Sequence, residues 1–283
     1  MSNSPTVKRR RLSAALRQLR VESGLTAAEV AKQLDWDPSK ITRMERDEWK
    51  RPAPHDIRGL LDLYGVTDER RRDALLALAR ESRQRGWWAD YQDVFRTSLP
   101  DFEAGSSMIR TYEAVVIPGL LQTADYMMAI FRGGQVLHET VFERHVQARL
   151  TRQEILRRQD PPTLVAVIDE AALLKMIGGR DVMRDQVRHL LELARQPNIT
   201  IQVLPNSVGA HSALDGPFVI LDFPSPDDPS LIHLATLTDS LWLETPEEIQ
   251  RYTLTFSQAQ ASALPPGESV RYLSELHERL QQE

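Results

Sequence analysis

The chain has 283 residues, 41% of them hydrophobic and 27% charged, a balance that excludes a disordered or fibrous protein and allows one large or two ordinary domains. It has no cysteine, which excludes disulfides, thiolate metal sites and a cysteine nucleophile. The net charge of −5 is unevenly spread: residues 1–66 carry +4 (13 basic, 9 acidic), residues 67–100 carry +1 and residues 101–283 carry −10. The first stretch suits a polyanion, and the acidic remainder would be repelled by one. No run of 18 apolar residues exists and no apolar segment follows the basic run Lys8 to Arg11, so neither a membrane span nor a signal peptide is expected. A cytoplasmic location is the expectation.

The first helix is expected over Lys8 to Glu22, with Leu12, Leu16 and Leu19 on one face and Gly24 ending it in the left-handed conformation. Thr26, with Glu29 three residues on, forms a capping box that starts a second helix over Ala27 to Leu34. Asp37 and Pro38 start a third, running to about Arg46, and a fourth covers about Pro54 to Tyr64. Residues 67–160 read as mostly helical and rich in Arg and aromatics. Strands are expected at Leu164 to Ile168, Ile199 to Leu204, Phe218 to Phe223, Leu231 to Leu237 and Leu241 to Leu243. Helices are expected at 170–177, 180–195, 246–263 and 268–282. The expected fold is mainly α with a mixed α/β C-terminal domain behind an N-terminal helix-turn-helix bundle. The domains would be a DNA-binding domain at 1–66, a helical linker at 67–100 and a sensor and dimerisation domain at 101–283.

The second and third helices meet the spacing of a helix-turn-helix. Ala31 is small where the next helix must cross, and Asp35 occupies the turn position that takes positive φ. Ile41 and Met44 are the inner anchors of the recognition helix. Its outer face then holds Ser39, Arg43 and Arg46, flanked by Lys40 and Thr42; Ser39, Lys40, Thr42 and Arg43 are the expected base readers, since Arg is the commonest reader of guanine in the major groove. Arg17, Arg20, Thr26, Arg46, Lys50 and Arg51 are the expected phosphate contacts, with Arg9 to Arg11 as a flexible arm.

The segment from Leu25 to Arg46 resembles the Xre/Cro-type helix-turn-helix. That family often has Gln where this chain has Ala27, and Gly where it has Asp47, so the loop after the recognition helix is expected to differ. Across nearly the whole chain, Gly86 to Trp88, Tyr112 to Tyr126 with its Pro-Gly-Leu-Leu-Gln-Thr, Ile168 to Leu173 and Gln202 to His211 are similar to WhiJ-like regulators of actinobacteria. The resemblance implies a transcriptional regulator, sometimes described as antitoxin-like, often encoded beside a small acidic partner protein. Partners expected are double-stranded DNA, a second copy as homodimer, and either that protein or a small-molecule effector. The alternative is an antitoxin-like interaction module controlling a small partner protein.

No catalytic set, metal site or cofactor is expected. No His falls at a metal-binding helical spacing, and His145 with Arg149 reads as an exposed basic helix face. The pattern from Leu164 to Phe223 resembles a phospholipase-D-like half. His211 and His233 lack the Lys two residues on that such chemistry needs. If the second domain has a ligand pocket, Gln122, Tyr126, Asp169, Glu170 and His211 are its expected polar lining.

Overall fold

The computed structural model describes residues 4–49, 51–84, 86–95, 97–134, 141–225, 228–236 and 239–282. The chain is mainly helical and divides into two compact units, Ser2–Ala89 and Asp90–Glu283.

Among the described residues the first unit contains five α-helices: α1 (Pro5–Glu22), α2 (Ala27–Gln33), α3 (Pro38–Glu45), α4 (Pro54–Leu63) and α5 (Glu69–Glu81). The start of α1 lies three residues before the expected one, because Ser4 caps it by accepting the Val7 N–H and Pro5 fits the first turn. Gly24 takes φ 72°, as the end of α1 requires. Leu12, Leu16 and Leu19 of α1 share one core with Val30, Ile41, Met44, Ile57, Leu60 and Leu61. Each fully buried side chain of this kind contributes ~1.5–3 kcal/mol of transfer free energy. Helix α5 lies in the stretch expected as a linker, yet its Leu75, Leu76 and Ala79 are buried in this same core.

The second unit is built on a six-stranded mixed sheet. Its strands are β1 (Met108–Glu113), β2 (Thr163–Asp169), β3 (Ile199–Leu204), β4 (Phe218–Asp222), β5 (Leu231–Ala235) and β6 (Ser240–Leu243), in the order β3-β2-β1-β4-β5-β6. Strands β1, β2 and β3 run parallel, while β4, β5 and β6 pair antiparallel onto the other side of β1. Strand β1 lies in the stretch expected to be helical. It is nonetheless the central strand, with Ile109 facing Leu164 on one side and Leu221 on the other.

The helices of this unit are α6 (Leu99–Gly105), α7 (Ala124–Gly134), α8 (Phe142–Gln153), α9 (Glu170–Leu174), α10 (Arg180–Leu193), α11 (Pro246–Ser262) and α12 (Pro266–Gln282). Gly133 and Gly134 close α7. One sheet face buries Tyr112, Val167, Phe218, Ile220 and Ile232 against Phe256 and Ala259 of α11. Between α9 and α10, Gly178 sits at φ 75° where a Cβ would approach Ala129 Cβ to 2.8 Å, so both backbone and space require glycine. The Pro-Gly-Leu-Leu-Gln-Thr segment forms a 3-10 turn over Gly119–Leu121. Gln153 Nε2 donates to the carbonyls of Gly119 and Gln122, and Gln186 Nε2 donates to that of Leu121.

Candidate nucleic-acid interface

The turn between α2 and α3 is closed by the Trp36 N–H, which donates to the Ala31 carbonyl at 2.8 Å. Asp35 takes φ 53°, the left-handed region that a short carboxylate side chain tolerates. Thr26 and Glu29 form the expected capping box at the start of α2. Asp37 caps α3, accepting the Ser39 N–H at 2.8 Å and the Ser39 hydroxyl, and these bonds hold its carboxyl below the usual carboxylate range.

Ile41 and Met44 are 1% and 2% exposed. With 3.6 residues per turn, Ser39, Arg43 and Arg46 then fall on the outer face, and all three are exposed. Arg43 forms no hydrogen bond or ion pair among the described residues, and its charge adds a little to the lowering of the Asp37 carboxyl. Thr42 is half-buried beside it.

The other expected contacts divide. Arg17 and Arg51 are exposed, and Lys50 lies outside the described residues. The Thr26 hydroxyl is used within its cap, accepting from the Glu29 N–H and donating to the Glu29 carboxylate. Lys40 is tethered, with Nζ 2.9 Å from Asp56 Oδ2 and 3.6 Å above the Trp36 ring. Arg20 is engaged within the fold: Nε donates to Glu45 Oε1 at 2.6 Å, Nη2 to Glu45 Oε2 at 2.9 Å and Nη1 to the Leu25 carbonyl at 2.8 Å. Its guanidinium ties α1 to α3. Arg9 to Arg11 belong to α1 and form no flexible arm; Arg9 is bidentate to Asp47 at 2.7 and 3.2 Å. Asp47 itself takes φ 59°, the conformation a glycine would allow, so the backbone of this loop does not depart as expected.

The five residues expected to line a pocket serve three different bond sets. The Gln122 amide donates to the Ile117 carbonyl at 2.7 Å, and the Tyr126 hydroxyl accepts the Ile117 N–H at 3.2 Å. Asp169 caps α9 through the Ala171 N–H and accepts the Tyr112 hydroxyl at 3.2 Å, with His211 Nε2 3.8 Å away. Burial beside Asp169 holds the Tyr112 phenol above its usual range. Glu170 accepts from the Asn206 N–H and the Tyr272 hydroxyl, both at 2.7 Å. These side chains pin loops at the C-terminal ends of β1, β2 and β3. A cleft of about 510 Å³ lies at the opposite ends of β2 and β3, lined by Arg157, His189, Glu192, Gln196 and Asn198 among others.

Near the first set, the sequence reading missed one polar residue, Glu113, and misplaced another, Arg149. Glu113 ends β1 half-buried, and burial pushes its carboxyl up to about 7 against the pull of Arg152. Arg149 is half-buried rather than on an exposed basic face, and it lies 4.6 Å over the Phe131 ring, whose edge meets the His145 ring at 5.5 Å. The i, i+3 spacing of Arg149 and Arg152 was the available signal, but it does not say which side of α8 faces inward.

No curated protein and no solved structure matches this chain. Residues 11–75 match a helix-turn-helix domain, which spans α2, α3 and the outer face just described. Residues 96–275 match a domain of unknown function, DUF5753, covering all six strands. The chain belongs to the DUF5753 family, with an N-terminal helix-turn-helix domain of the DNA-binding kind.

Proposed function

We propose that this protein is a non-enzymatic, sequence-specific transcriptional regulator of the Xre type, WhiJ-like and actinobacterial in character. Helix α3 enters the major groove with Arg43 as the principal base reader and Ser39 and Thr42 beside it. Arg17, Arg46 and Arg51 touch phosphates, with Lys40 held close by Asp56. The observation that carries this reading is the division of α3 into a buried Ile41/Met44 side and an exposed side on which Arg43 makes no ion pair among the described residues. Exposed donors on a helix seated by its opposite side are what base recognition needs.

The chain works as a cytoplasmic homodimer, since one helix-turn-helix covers little DNA and two-fold symmetry doubles the contacts. No described helix is long and apolar enough to cross a membrane. The division of labour follows the charge, with a basic reading unit that includes α5 and ends near Ala89, and an acidic unit from Asp90 onward that dimerises and senses a small molecule or a small acidic protein. Genome-wide mapping of bound sites, followed by fluorescence anisotropy on the recovered fragments at several salt concentrations, tests it. Saturable, sequence-dependent binding is expected, and equal affinity for recovered and scrambled fragments overturns it.

A further inference from the structure

Helix α8 carries three arginines, and two are matched to carboxylates. Arg144 is bidentate to Asp93 at 2.6 and 2.8 Å, and Arg152 to Glu103 at 2.6 and 2.7 Å. Arg149 differs. Its partners are the Phe131 ring and Gln122 Oε1, which Nη1 reaches at 3.4 Å, with no carboxylate in ion-pair distance among the described residues. Burial, with Arg152 nearby, lowers its pKa to about 10. A half-buried guanidinium with no counter-charge among the described residues is unfavourable, and binding an anion there relieves that cost.

The surroundings are shaped for one. Gln122 is itself fixed through its amide to Ile117, so the group that orients Arg149 does not swing. That single contact leaves most of the five guanidinium N–H donors unused, in the planar fork that matches a carboxylate or phosphate. Gln122 follows the C-terminal end of β1, and ligands of open parallel sheets bind outside those strand ends.

We propose that Arg149, oriented by Gln122 and Phe131, binds the carboxylate or phosphate group of a small molecule. The half-buried position between α7 and α8 suits a compact ligand, with Phe131 and His145 beside its non-polar part. Binding stands on this geometry, and its consequence for DNA rests on the sensing role proposed above for the acidic unit.

The test uses the full chain, with benzoate and phenyl phosphate as probes at constant ionic strength balanced by sodium chloride, read by thermal unfolding and calorimetric titration. The parent is expected to be stabilised by at least one probe, and which one decides between carboxylate and phosphate. Arg149→Met is expected to lose that response while being no less stable without probe. Arg149→Lys, which keeps the charge but not the fork, is expected to bind ~10-fold more weakly, and Arg144→Gln to respond like the parent. No stabilisation of the parent beyond sodium chloride, or an equal response from Arg149→Met or Arg149→Lys, overturns the site. A response that needs Arg149 but leaves DNA affinity unchanged keeps the site and overturns the sensing role.

Discussion

Arg20 at the end of α1 and Glu45 at the end of α3 form a two-pronged ion pair, with N–O distances of 2.6 and 2.9 Å, at side-chain exposures of 16% and 10%. The same arginine donates to the Leu25 carbonyl, so one guanidinium ties α1 to α3, the second helix of the helix-turn-helix, and to the residue that precedes the capping box of α2. Glu45 keeps Arg20 strongly protonated.

The pair separates a scaffold role from a phosphate contact. Arg20→Ala leaves Glu45 without its partner and should cost ~1–3 kcal/mol in urea unfolding, with a coupling to Glu45→Ala in a double-mutant cycle. The salt dependence of DNA binding should keep its slope. A slope reduced by about one phosphate contact with stability intact would return Arg20 to the DNA surface.

Arg43→Ala should leave unfolding unchanged, weaken binding by ~1–3 kcal/mol and relax the preference at one base position. Ile41→Ala, two residues away and 1% exposed, should do the reverse and lose ~2–5 kcal/mol of stability. Chemical unfolding and anisotropy on a randomised fragment pool measure both. Unaltered specificity in Arg43→Ala would sink the assignment of the reading face.

Glu113 gives a pH signature. Its folded pKa of about 7 lies above the ordinary carboxylate value, so between that value and about 7 the folded state holds more protons than the unfolded one. Its penalty is absent in acid and grows as the pH rises through about 7. Glu113→Gln should therefore raise Tm at pH 8, by ~2–4 °C for each kcal/mol recovered, and change it little at pH 4.5. Scanning calorimetry at the two pH values checks this, and an equal shift at both would refute it.

His233 should act in the opposite sense. It is 5% exposed, its Nε2 has no hydrogen-bond partner among the described residues, and burial, aided by Arg152, pushes its pKa down to about 4. The unfolded chain takes up that proton near the ordinary imidazole value while the folded one resists, so stability falls as the pH drops from about 6.5 to about 4. His233→Leu removes both the titration and the unmatched nitrogen. It should flatten the acid limb of a Tm against pH curve and cost little near pH 8. An acid limb as steep as the parent's would rule this out.

The reading motif was legible because its determinants are local. Thr26 with Glu29, Asp37 with Pro38, and Ile41 with Met44 lie within one or two turns of each other, and a chain must satisfy those caps and that spacing in any fold that uses it. The strands β2 to β5 announced themselves as apolar runs for a similar reason. Strand β1 did not, because Met108-Ile-Arg-Thr-Tyr-Glu113 mixes polar and apolar residues, and its strand character comes from partners such as Leu164 and Leu221 distant in the chain. Charge pairing is just as non-local: Arg9 with Asp47, Arg20 with Glu45 and Arg152 with Glu103 join residues 25 to 49 positions apart. Helical spacing placed Arg43 on the outside, but only the packed chain decided which arginines pair with a carboxylate and which, like Arg43 and Arg149, meet none among the described residues.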